Sequence, residues 1–89
     1  MRMVTIYRSD GFNVVIYTND HAPMHVHFIK GRQGQPGSGE AKINLVSPNG
    51  GPSLEWVQGG LSKSDVRKAM EIARENQAQF IVKWREIHG

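Results

Sequence analysis

The spacing of apolar residues changes once along this chain, near residue 62, and that change restricts the fold more than any other feature. Before it, apolar residues come in short runs rich in β-branched and aromatic side chains: Met3–Arg8, Phe12–Thr18, Met24–Lys30, Glu40–Val46 and the short Leu54–Gln58. Such runs predict strands, because branched side chains fit a pleated, half-buried surface. After it, Val66, Ala69, Met70, Ala73, Phe80, Ile81, Trp84 and Ile87 recur at steps of three and four, which lines one face of an α-helix. Strands followed by helix in 89 residues predict one α+β domain spanning residues 1–89. Its expected form is an antiparallel sheet of four to five strands with a C-terminal helix, or kinked helix pair, packed on one face.

The punctuation between these runs agrees. Ser9-Asp10-Gly11 joins the first two, and an Asp-Gly step between strands predicts a hairpin, since glycine takes the positive φ of a tight turn. Gly31–Gly39 holds four glycines and a proline in nine residues and reads as a flexible, solvated loop. Ser47–Pro52 reads as a turn. Ser62 suits a helix N-cap, Asp65 stands where the reciprocal capping residue belongs, and Leu61 is placed to staple onto Val66. Gln77, next to Asn76, interrupts the apolar stripe, so the helix is continuous or broken there. Phe80 and Trp84 are expected to anchor it to the sheet.

The two-residue strand period divides the sheet into faces. One collects Val4, Ile6, Phe12, Val14, Ile16, Val26, Phe28, Ile43, Leu45 and Trp56, and is apolar enough to receive the helix. The other carries Thr5, Tyr7, Val15, Tyr17, His25, His27, Lys42 and Asn44, a polar and partly aromatic set.

That second face draws attention to Asn19–Phe28, where three of the four histidines fall within seven residues, beside Asp20 and Pro23. His25 and His27 project from one side of a strand, about 7 Å apart along it. One reading is a metal site built from His21, His25 and His27, with Asp20 as another candidate third ligand across the Pro23 bend. Three protein ligands plus water is the pattern of a catalytic zinc, so this reading implies zinc or another divalent ion and a metal-dependent hydrolase or nuclease. A second reading is a recognition surface of Tyr17, Asp20, His21, His25, His27 and Lys42, with Arg8, Lys30 and Arg32 nearby, that holds a partner protein or single-stranded nucleic acid. A third is structural: Asp20 bonds the backbone of the bend and a histidine donates to a carbonyl. His88, at the helix end, stands apart from all three.

Composition narrows the classes without choosing among them. Cysteine is absent, so disulfides, thiolate ligands and a cysteine nucleophile are excluded, and a reducing compartment fits. No apolar run approaches the roughly twenty residues that span a bilayer, and the N-terminus carries no signal-like segment. A soluble cytoplasmic protein is expected. The formal charge of +3 permits an acidic partner or nucleic acid but is far from a basic tail. The serines lie in turns or a cap, none in a nucleophile-elbow context. The glycine loop lacks the Lys-Ser/Thr pair of a phosphate-binding P-loop.

Several of these segments also occur together in a known pattern. Gly11-Phe12 entering a strand, Asp20-His21-Ala22-Pro23-Met24-His25-Val26-His27, Gly39-Glu40-Ala41-Lys42, and Gly60-Leu61-Ser62 opening a helix that closes with Trp84 resemble the domain of unknown function 4160 family of small bacterial proteins. Pro23-Met24 departs mildly from the two prolines frequent there, and the Gly31–Gly39 loop is longer than usual. The family has no established activity. Its members often stand beside another small domain in pairs that look like toxin–antitoxin modules. The resemblance therefore implies a small partner protein and, by analogy, RNA or operator DNA.

Overall fold

Each strand-like run pairs with the run that follows it. In the computed structural model, which describes residues 2–89, β1 (Met3–Ser9), β2 (Phe12–Tyr17), β3 (His25–Lys30), β4 (Gly39–Asn44) and β5 (Ser53–Gly59) form one antiparallel sheet in chain order. Two helices follow, α1 (Lys63–Glu75) and α2 (Gln77–His88). The fold is the expected α+β arrangement, with five strands and the broken form of the helix. Asp10 and Gly11 close the first hairpin, both at positive φ. Among the described residues, no helix is long and apolar enough to cross a membrane.

Capping sets where α1 starts. Ser62 Oγ accepts from the Asp65 N–H, and Asp65 Oδ2 accepts from the Ser62 N–H, both at 3.0 Å. Two donors that the first turn would leave unpaired are thereby satisfied. Lys30 Nζ donates to the other Asp65 oxygen at 2.7 Å, tying the end of β3 to the start of α1. The Lys30 ammonium, with the Ser62 N–H, holds the Asp65 carboxyl below its ordinary value of 3.8. A carboxylate stabilised in the folded state contributes fully above that value, and the contribution is lost as pH falls below it. Lys30→Met is therefore expected to be less stable than the parent near neutrality, with the two stabilities converging in acid. Urea midpoints from about pH 6 down to about pH 2 test this. A gap that stays constant over that range would rule the ion pair out as its cause.

At Asn76 the helix breaks. Its backbone N–H and side-chain Nδ2 both donate to the Ile72 carbonyl, at 3.0 and 2.8 Å, while its own carbonyl accepts from the Phe80 N–H. Gln77, the polar residue in the apolar stripe, bonds to both ends of one loop. Its Nε2 donates to the Leu45 carbonyl at 2.7 Å and to the Gly50 carbonyl at 2.8 Å. The interruption in the pattern is thus where the helix pair is fastened to the turn between β4 and β5.

The core lies between the sheet and the helices. Phe12, Val14, Ile16, Val26, Phe28, Ala41, Ile43 and Leu45 meet Ala69, Ile72, Ala73, Phe80 and Trp84. The expected sheet face is correct at Phe12, Val14, Ile16, Val26, Phe28, Ile43 and Leu45 and wrong at two positions, each beside a β-bulge. In β1 the register skips Ile6, so Tyr7 pairs with Val14 and joins the core, its ring edge-on to Phe80 at 5.6 Å. In β5 it skips Glu55, so Leu54 pairs with Ile43 and Trp56 with Lys42. Trp56 therefore lies with Lys42 and His27, not with the core. An extra residue on one strand shifts every position beyond it by one, which reverses the face that simple alternation assigns.

Candidate functional site

Asp20, His25 and His27 come together at the entry to β3. A backbone turn directs Asp20 inward: its N–H donates to the Tyr17 carbonyl at 3.0 Å, and its Oδ2 accepts from the Tyr17 N–H at 2.9 Å. That leaves Oδ1 facing the imidazoles, 3.2 Å from His25 Nε2 and 3.6 Å from His27 Nε2. The two rings, two residues apart on one strand, pack edge to face with centroids 5.0 Å apart.

The other nitrogen of each ring is engaged. His25 Nδ1 donates to the Pro23 carbonyl at 2.9 Å, and His27 Nδ1 donates to Glu40 Oε2 at 2.8 Å. A carbonyl and a carboxylate only accept, so each bond requires the proton on Nδ1. In the neutral tautomer that these bonds select, both Nε2 atoms carry lone pairs directed at the Asp20 carboxylate. Among the described residues, His27 Nε2 is buried without a hydrogen-bond partner.

Both rings are nearly enclosed, at 4% exposure for His25 and 7% for His27. This corrects the expectation of an open histidine face. Tyr17 packs edge-on to His27 at 4.8 Å, Trp56 lies 6.0 Å from His27, and Trp84 of α2 lies 5.1 Å from His25. The Tyr17 phenol is pushed above its ordinary 10.0, first by burial and then by the charges of Glu40 and Asp20.

The expected site residues therefore separate. Asp20, Tyr17, His25 and His27 form one cluster, and Lys42 stands across from His27 on β4. His21 does not join them. It is exposed and lies outside the group whose ligand atoms fall within 4.8 Å of one another, which is Asp20, His25 and His27. In the metal reading the third ligand is thus Asp20 and not His21. Lys30 is engaged with Asp65, away from the histidines. Glu40 and Trp56 were absent from the expected set. Glu40 was findable, since it shares a face with Lys42 two residues on, beside His27 once the β3–β4 pairing is known. A cleft of about 420 Å³, lined by Lys30, Gly34, Glu40 and Gln58 among others, opens under the glycine loop. Glu40 lines it, and none of Tyr17, Asp20, His25 and His27 does.

The profile of the family described as Domain of unknown function (DUF4160) matches residues 11–85. The chain belongs to this family. That match in DUF4160 takes in every residue of the cluster, from Tyr17 to Trp84. No curated protein and no solved structure matches the chain.

Proposed function

We propose that this DUF4160 chain is a small cytoplasmic binding module that docks a partner protein on the sheet face carrying Tyr17, His27, Lys42 and Trp56, as one member of a bacterial toxin–antitoxin-like pair. The observation that carries the reading is the position of Trp56. A tryptophan set beside His27 on the side opposite the apolar core, on the sparsely covered strand β5, offers a large surface with a polar handle. Tryptophan and tyrosine in that setting are the usual anchors of protein interfaces. The pairing with a neighbouring small protein rests on the family likeness alone, and the cytoplasmic placement on the absence of cysteine.

Charge favours protein over nucleic acid. Asp20 and Glu40 stand against the rings, and Lys42 is across from His27 on β4. A phosphate backbone would be repelled there, since nucleic-acid affinity comes chiefly from cations that neutralise phosphates. The second reading, metal-dependent hydrolysis, draws on the same histidines and requires solvent at the ion.

The test is co-purification from the native host with parent chain and with Trp56→Ala. The parent is expected to retain a small partner in stoichiometric amount, and the variant to lose it by more than about thirtyfold in affinity, as for an interface anchor. The thermal midpoint should move little. Retention of the same partner by both chains would place the interface elsewhere.

A further inference from the structure

We propose that Asp20 Oδ1, His25 Nε2 and His27 Nε2 bind one divalent first-row transition-metal ion, zinc foremost. This goes beyond the docking of a partner and does not depend on it.

The distances fit an ion. Donors about 2.0–2.1 Å from a tetrahedral zinc lie roughly 3.3 Å from one another. The two edges that meet at Asp20 Oδ1 measure 3.2 and 3.6 Å, and the third is within 4.8 Å. Closing the third edge toward the same roughly 3.3 Å, a shift of at most about 1.5 Å, completes the set.

The supporting bonds also fit. An imidazole that ligates through Nε2 ordinarily gives its Nδ1 proton to a carbonyl or carboxylate, which sets the tautomer and raises the basicity of the ligating nitrogen. His25 does this through the Pro23 carbonyl and His27 through Glu40. The remaining Asp20 oxygen is held by the Tyr17 N–H, so the carboxylate too is oriented before any ion arrives.

Electrostatics asks for a cation. With both rings neutral, two lone pairs and a carboxylate oxygen converge in a largely enclosed space and repel one another, and among the described residues His27 Nε2 has no donor to relieve it. The hydrogen-bonding reading leaves that buried nitrogen unexplained, whereas a shared cation satisfies all three atoms at once. Imidazole and carboxylate donors without thiolate suit zinc, iron(II), cobalt(II) or nickel(II) better than calcium or magnesium.

The experiment uses the full chain without a histidine tag, stripped by a chelator and titrated with zinc by calorimetry and with cobalt(II) by visible absorption. One equivalent is expected to bind, with a cobalt spectrum of low-symmetry nitrogen and oxygen coordination. Asp20→Asn and His27→Gln should each weaken binding by about a hundredfold, and Glu40→Gln, which keeps an acceptor for His27, by about tenfold. His21→Ala should bind as the parent does. Circular dichroism of each variant separates lost ligation from lost folding, and Glu40→Gln keeps the test decisive if a ligand variant unfolds. A parent chain that takes up neither ion overturns the proposal and leaves a proton shared between His25 and Asp20 as what the geometry serves. Binding that persists in folded Asp20→Asn and His27→Gln overturns it as well. Neither failure touches the Trp56 experiment, which needs no metal.

Discussion

Phe80→Ala is expected to remove about 3–5 kcal/mol of stability. Phe80 is fully buried and joins the helix layer to the sheet through two aromatic contacts, edge-on to Tyr7 at 5.6 Å and to Phe28 at 6.4 Å. Truncation loses the transfer energy of the ring, leaves a cavity between rigid neighbours and breaks both contacts. A domain of this size is held by roughly 5–15 kcal/mol in total, so the variant should approach the limit of folding. Its thermal midpoint should fall on the order of 15–30 °C. Urea titration at unchanged slope is the measurement, with Val82→Ala as comparison. Val82 lies in the same helix but is 52% exposed, and its truncation should stay within about 0.5 kcal/mol. Similar losses in the two variants would show that α2 does not dock on the sheet through Phe80.

Gly59→Ala is the second large effect, at about 3 kcal/mol or more. Gly59 has a φ of +82°, and a Cβ added there would lie 2.8 Å from both Gly39 Cα and the Ser38 carbonyl oxygen. Those are backbone atoms, which cannot swing aside as a side chain can. The close approach belongs to the place where β4 begins and β5 ends, with Gly39 opposite Gly59 in the ladder and the Gly60 N–H donating to the Ser38 carbonyl. Gly34→Ala isolates the contribution of crowding. Gly34 also has a positive φ, +89°, but nothing lies within 4 Å of its added Cβ. It should lose only the conformational term, about 1–2 kcal/mol. Equal losses in the two variants would mean that crowding at Gly59 costs nothing.

Local chemistry made most of the fold legible. Five strands appear within two residues of their expected limits at every end, and the Ser62–Asp65 cap marks the start of α1 because its partners are three residues apart. The helix break was visible only as an interrupted stripe. What fastens it, the bonds from Gln77 to the Leu45 and Gly50 carbonyls, spans about thirty residues and leaves no mark on the local pattern. Tyr7 and Trp56 were assigned to the wrong faces for a related reason. A bulge is a property of two strands together, and neither strand announces it alone.

The site divides in the same way. His25 and His27 were legible because alternate residues of a strand share a face. Asp20 and His21 are neighbours, and which one turns inward depends on the Tyr17–Asp20 backbone turn, something residue types do not decide. Glu40 reaches His27 only through the β3–β4 register.

The order of the strands has a consequence for how the molecule assembles. Every strand lies beside its neighbour in the chain, so the sheet closes only short loops, which is the arrangement that folds quickly. The two helices follow the sheet in the chain. A sheet that pairs before Phe80 and Trp84 dock presents Val14, Ile16, Val26, Phe28 and Ile43 uncovered to water. That half-assembled state is the one most prone to self-association, and docking of the helices ends the exposure.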